Sequence, residues 1–366
     1  KHLSQTHSSG AERKPIVKIR NTVGMDMGDK VHSICILDAS GTVRECAEVS
    51  NTRAGIYKFF AKMEPSLIAL ETGTHSSWVS RILEELGHEV LVGHARKLRM
   101  IWNNPQKNDM RDAEMLARIA RFDRKLLHPI QPRSMKAQCD LAAIKARDQL
   151  VKVRSSLIAH VRGLVKSVGA RLPTCSPECF AKRAAEAVPE ELALALEPVI
   201  VSIAELTVRI RHCDHLIQKL ADEEYPATKR LQEIPGVGPI TSLAFVLTLE
   251  DPKRFARSRD VGPFLGMTPR RNQSGQVDQQ LPITKAGNAY MRRLLVQCAQ
   301  YILGHYGPDC DLRRFGLKLA ERGGKNAKRR ATVAVARKLA VLLHSLWKTG
   351  EEYEPNRCRR QNRKTA

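Results

Sequence analysis

The run KNDMRDAEMLARIAR, residues 107 to 121, sets two carboxylates, Asp109 and Asp112, three positions apart beside Lys107 and Arg111. Met110, Ala113, Leu116, Ala117 and Ala120 recur behind them at helical intervals, so both acids fall near a helix start. Neighbouring like charges on a helix cost roughly a few tenths of a kcal/mol. The helix dipole offsets part of that cost, and a divalent cation offsets far more. Two more acids close short strand-like runs. Asp26 ends the strand in IVKIRNTVGMDMG, and Glu71 ends the one in SLIALETG. In a parallel arrangement both would emerge at one sheet edge. Asp26, Glu71, Asp109 and Asp112 then form a hard-oxygen donor set suited to Mg²⁺ or Mn²⁺. A pair of such ions about 4 Å apart activates a nucleophile and stabilises the leaving oxygen of a phosphodiester. Taken singly, Asp109 reads equally as a helix cap, Asp112 as a solvated residue and Glu71 as a strand-end acid.

The elements that must carry these acids follow from the pattern. After a polar tail over residues 1–14, three strand signals precede a helix over NTRAGIYKFFAKM. Strand, helix, strand and helix then alternate as far as the opening run. The order β-β-β-α-β-α-β-α predicts a mixed sheet with helices packed on it, an α/β domain over residues 15–133. Residues 134–230 read as two long amphipathic helices around the Pro-rich break LPTCSPECF, either a helical spacer or an arm for dimerisation. Residues 231–350 form a third, mainly α unit. It opens on LQEIPGVGPITSLAFVLTL, a helix, glycine hairpin and helix, in which Gly236 and Gly238 let backbone amides approach a phosphate. Residues 351–366 are a basic tail.

The chain has 366 residues and a formal charge of +23, and residues 312–366 hold 16 Lys and Arg against four Glu, net +12. Such a surplus selects a polyanionic partner, nucleic acid before membrane. Aromatics make up 5% of the residues, too few for a long base-stacking platform, so backbone contact dominates. Nine scattered cysteines suggest no disulfide framework, and no apolar stretch reaches the roughly 18 residues of a membrane span. These features point to a reducing, cytoplasmic setting, which the resemblance given below narrows to a bacterial one, associated with the nucleoid. Cys175 and Cys179, and His212, Cys213 and His215, match no common zinc spacing. Lys285, Arg292 and Arg293, in ITKAGNAYMRRLL beside the turn or cap at Asn288, are candidates for phosphate contact, as are Lys107 and Arg111. A solvated basic face is the alternative for each.

The acids in VGMDMGDKVHSICILD, ALETGTHSSWVSRILEELGHEVLVG and KNDMRDAEMLARIAR occupy the places they have in the RuvC-like (RNase H-like) nucleases. More narrowly, the chain resembles the DEDD insertion-sequence transposases, bridge-RNA-guided serine recombinases with the Piv-type invertases as relatives. IPGVGPITSLAFVLTL, FLGMTPRRNQSGQVDQQLPITKAGNAYMRRLLVQ and ARKLAVLLHSLWKTGEEYEP extend the likeness over most of residues 20–355. The resemblance implies a RuvC-like first domain, a coiled-coil-like arm and a C-terminal transposase domain with a helix-hairpin-helix-like element. It makes Ser274, in the polar loop RRNQSGQ, the covalent nucleophile. It implies donor and target double-stranded DNA as substrates, a structured guide RNA, and a homo-oligomer, dimer or tetramer, whose protomers share the site. A junction nuclease using water, a site-specific invertase and a nucleic-acid packaging protein are the competing readings.

Overall fold

Strands Thr22–Met27 (β1), Val31–Leu37 (β2) and Val43–Ser50 (β3) form an antiparallel meander. Its second turn is drawn tight by Asp38, whose carboxylate accepts from the Ser40 amide at 2.8 Å and the Thr42 amide at 3.0 Å. Leu67–Glu71 (β4) and Glu89–Gly93 (β5) then add in parallel, giving the sheet order β3-β2-β1-β4-β5. The computed structural model describes residues 21–98, 108–275 and 277–357. The chain divides into two units, one ending at Arg133 and one beginning at Ser134.

Three helices cover the sheet of the first unit: Arg53–Phe60 (α1), Ser76–Glu85 (α2) and Asp109–Phe122 (α3). Thr52 caps α1 by accepting from the Gly55 amide at 3.0 Å, as the Asn-Thr start signal predicts. Side chains alternate across a strand, so each face gathers its own core. Val23, Met25, Ile34, Ile36, Ile68 and Leu70 pack with Ile56 and Phe60 of α1 and Val79 and Ile82 of α2. On the opposite face Cys35, Leu37, Leu67 and Ala69 meet Ala113, Leu116, Ala117 and Ala120 of α3.

The second unit begins with Met135–Ser167 (α4) and, after the short helix Phe180–Ala187 (α5), returns through Glu190–Glu223 (α6). These helices are 33 and 34 residues long. Val161, Val165, Phe180, Ala184, Leu196 and Ile200 form a core at the closed end of this hairpin. At the open end, Ala137, Leu141, Ile144, Ile217 and Ala221 join the main C-terminal core, so the arm and the elements that follow share apolar packing. Those elements are Ala227–Gln232 (α7), Pro239–Leu249 (α8), Val261–Phe264 (α9), Ala289–Leu303 (α10), Asp311–Ala320 (α11) and Ala327–Thr349 (α12). Residues 241–249 of α8 are all buried, making it the centre of that core. The polar loop expected around Ser274 is instead a two-stranded antiparallel ribbon, Pro269–Ser274 (β6) and Val277–Ile283 (β7). Among the described residues no helix is long and apolar enough to cross a membrane.

Candidate active site and nucleic-acid contacts

Register decides where the first two acids stand. Met25 of β1 pairs with Leu70 of β4 in parallel, so Asp26 and Glu71 are the next residues on adjacent strands. Strands in a sheet lie about 4.8 Å apart. Asp26 shares a face with Gly24, and Glu71 with Ala69, two residues earlier on each strand. That is the face α3 covers. Gly24 lies so close to the helix that a Cβ there would stand 1.8 Å from the Ala113 carbonyl oxygen and 2.6 Å from the Ala117 amide nitrogen.

The helix direction places the other two. Ala120 and Lys125, at and just beyond the end of α3, line one cleft with Thr22 and Leu67 at the start of β1 and β4. Ala113 and Ala117 lie over Gly24. The helix therefore runs antiparallel to both strands, and its N-terminus comes down toward the ends that carry Asp26 and Glu71. Asp109 and Asp112 precede the sheet-facing residues Ala113 and Leu116 by one turn, which puts them on that same stripe. Asp26, Glu71 and Asp112 are half-buried and Asp109 is exposed. Asn108 caps the helix, its Oδ1 accepting from the Met110 amide at 3.0 Å, so the capping role open to Asp109 is filled by its neighbour. All four donors are hard carboxylate oxygens, which suits a magnesium-type ion. The backbone brings them to one end and one face of the sheet, but it does not close them into a cluster. Among the described residues no group of three or more His, Cys, Asp or Glu side chains could hold a metal ion.

The turn after Asp26 is braced by a residue that the sequence patterns did not single out. Asn51 Nδ2 donates to the carbonyls of Gly28 at 3.1 Å and Asp29 at 2.9 Å. Behind it His32 is fully buried, with neither ring nitrogen hydrogen-bonded. Burial, and then the nearby His75, holds its pKa below the ordinary imidazole value. His75 Nε2 lies 3.4 Å from Asp29 Oδ1, and its Nδ1 accepts from Trp78 Nε1 at 3.2 Å. The end of β4 is fixed likewise: Thr72 donates to the Gly93 carbonyl from its amide at 2.9 Å and from its hydroxyl at 2.6 Å. The polar residue directly after Glu71 was the available signal for Thr72. Asn51 lies 25 positions from Asp26, and only the β2–β3 pairing brings it back.

In the second unit Ser274 is exposed at the end of β6, opposite Val277, and Gly275 follows it with φ +55°. Asn272 pairs with Gln279 on the same face of the ribbon. On the other face Arg271 bonds Asp278 through two contacts, at 2.7 and 2.5 Å. That pairing raises the arginine pKa and lowers the carboxyl pKa. Asn288 caps α10, its Oδ1 accepting from the Met291 amide at 3.1 Å. Arg292 donates to the carbonyls of Leu265, at 3.0 Å, and Ala286. Arg293 pairs with Asp148 of α4 and lies over the Tyr290 ring. Both guanidinium groups are thus engaged inside the unit. Lys285 is exposed, with a left-handed backbone at φ +54°. Gly236 takes φ +82° in the turn before α8, and Gly238 is the N-cap of that helix, with open space where a Cβ would stand. Arg111 is exposed on α3, whereas Lys107 lies outside the described residues, as do residues 1–20 and 358–366 of the two tails.

Comparison with known proteins places this pairing of a mixed α/β unit with a mainly helical unit among DNA transposases. Two family models match: a DEDD-type transposase domain over residues 23–169, and the transposase IS116/IS110/IS902 family over residues 228–311. The transposase for insertion sequence element IS1111A of Coxiella burnetii is 29% identical, over 93% of each chain. The y4pF/y4sB protein of Sinorhizobium fredii is 30% identical over 93% of this chain and 87% of its own. The transposase for insertion sequence element IS1328 of Yersinia enterocolitica is 29% identical over 76% and 82%. The chain belongs to the IS116/IS110/IS902 family of insertion-sequence transposases.

Proposed function

We propose that this transposase cuts and rejoins DNA through Ser274, with Mg²⁺ or Mn²⁺ held by Asp26, Glu71, Asp109 and Asp112 of a RuvC-like domain. The observation that carries the reading is the placement of Asp26 and Glu71 on adjacent parallel strands, beneath the helix start that bears the other two acids. A bound divalent ion would supply charge neutralisation and Lewis-acid stabilisation for a phosphate in transfer. The protein's own part is to hold the carboxylates. α3 is seated directly on β1 at Gly24, Asn51 and Thr72 fix the two strand ends, and Asn108 fixes the helix start.

The Ser274 hydroxyl attacks a DNA phosphorus, the deoxyribose oxygen leaves, and the strand is held as a phosphoserine ester. Exposure at the end of a narrow ribbon gives the hydroxyl the access such an attack needs. Backbone contacts come from the exposed cations, with Arg111, Lys285 and the amides around Gly236 and Gly238 as candidates. A structured guide RNA pairs with donor and target DNA, so that the protein reads shape and backbone while base pairing reads sequence. The low aromatic content and the charge of +23 support that division of labour.

Asp112→Asn and Ser274→Ala each abolish strand exchange and leave the circular dichroism spectrum unchanged. A labelled suicide substrate forms a covalent adduct with the native chain and none with the serine variant. Full strand exchange by Ser274→Ala rejects the covalent step, and cleavage without an adduct favours hydrolysis by water.

A further inference from the structure

The corner between α11 and α12 carries six cations within 13 residues: Lys318, Arg322, Lys325, Lys328, Arg329 and Arg330. All six are exposed, and among the described residues none makes an ion pair. Glu321 is the single acid in the stretch. Elsewhere in this unit Arg147, Arg154, Arg271, Arg293 and Arg314 are each matched to a carboxylate. The corner packs six such cations into 13 residues, although exposed cations elsewhere in the unit, Lys182, Arg209 and Arg211 among them, also make no ion pair among the described residues.

The corner is also costly as it stands. The first turn of α12 holds three cations and no acid, and its N-cap Asn326 makes no side-chain capping bond. Positive charge at the positive end of a helix opposes the dipole. Between the helices Gly323 and Gly324 take φ +75° and +91°, and nothing lies within 4 Å of where a Cβ would stand on either. The backbone is thus bare at the apex of the turn, and a bulky polyanion can approach it closely. The corner begins beyond residue 311, outside both segments matched by the family models.

We propose that the α11–α12 corner is a docking surface for the sugar-phosphate backbone of duplex DNA. It rests on the reading of the chain as a DNA-acting transposase and assigns one surface to that contact. Phosphates supply the charge that the first turn of α12 lacks. The bare glycine turn and the long Lys and Arg side chains fit a uniform backbone rather than base edges, so binding at the corner is independent of sequence.

The test uses the full chain, a short blunt DNA duplex of arbitrary sequence, and EDTA to remove any metal contribution. Affinity is measured over a range of KCl concentrations. Lys328→Ala, Arg329→Ala and Arg330→Ala combined should reduce the slope of log K against log salt by about 2.7, that is about 0.9 for each lost contact. The thermal midpoint should hold or rise, because alanine favours the helix and the dipole clash is gone. A control removing Lys182, Arg209 and Arg211, three exposed cations of the arm, should leave the slope unchanged. The proposal is overturned if the corner triple keeps the native slope, if the arm triple lowers it equally, or if the corner triple loses binding only to an RNA duplex. With EDTA present the assay reads binding alone and requires no catalysis. A failed corner is thereby distinguished from a failed active site, which strand exchange reports.

Discussion

Gly24 illustrates what a single residue contributes to this protein. It makes no chemical contact, yet its missing Cβ is what lets α3 sit on β1 and bring Asp109 and Asp112 toward Asp26 and Glu71. Gly24→Ala has no flexible neighbour to displace, since the atoms a Cβ would meet are the backbone of Ala113 and Ala117. The helix must lift. Overpacking of this kind costs about 1–3 kcal/mol. Strand exchange should fall further than that loss of stability alone explains, because a displacement of about 1 Å costs on the order of 100-fold in rate. Thermal denaturation together with a strand-exchange assay checks this, and native activity in a folded Gly24→Ala chain refutes it. The positions of the four acids were legible in the sequence, because each stands at the end of a recognisable strand or the start of a recognisable helix. The residues that brace them were not. Asn51 acts through carbonyls 22 and 23 positions away, a distance that local spacing does not encode.

Elements whose pattern was strong were readable, and those without one were not. The meander, the two parallel additions and the helices between them all alternate or repeat with clear periods, and they form where the pattern puts them. The ribbon β6–β7 was missed because β6 is exposed at every position, so no apolar face alternates along it. The arm shows a different limit. Its amphipathic repeat predicted two long helices, but not the polar staple across them. Arg154 of α4 is 6% exposed and donates to Glu178, 47% exposed, at 2.9 Å, and to Thr207 of α6 at 3.2 Å. Its Nε has no partner. Exposure alone would rank Glu178 as the dispensable member. The electrostatics rank it otherwise. Glu178→Ala strands a buried guanidinium, at a cost of about 2 kcal/mol, whereas Arg154→Met removes the charge and keeps the bulk, and should cost less. Thermal melts of the two variants settle the order, and a larger loss in Arg154→Met would show that the staple acts by packing alone.

For the molecule as a whole, the buried histidines make stability sensitive to acid. His32 and His88 belong to the first unit and His344 to the second. Burial lowers all three pKa values below the ordinary value of 6.5. For His88 the hydrogen bonds also favour a neutral ring. His88 Nδ1 accepts from the Ser66 amide and Nε2 faces the Phe60 carbonyl, both at 3.2 Å. His344 Nδ1 faces the Ser258 hydroxyl and Nε2 the Pro252 carbonyl, both at 2.9 Å, and Lys348 nearby adds a like charge against protonation. A second proton on His88 would meet an amide that can only donate. Above pH 6.5 folded and unfolded chains are alike in leaving these rings neutral, and stability is flat with pH. As pH falls below 6.5 the unfolded chain takes up protons that the folded chain refuses, so stability is lost progressively toward the lowered folded values. Each such ring contributes a slope of up to about 1.4 kcal/mol per pH unit in that window. His88→Gln keeps one donor and one acceptor in place but cannot titrate. Its melting temperature should lie below the native value at neutral pH and fall less steeply between neutral and mildly acid pH. Where heating resolves more than one transition, each is followed by itself. The His88 change should flatten only the transition of the first unit, and parallel acid curves for the native and variant chains would show that the ring is protonated without penalty.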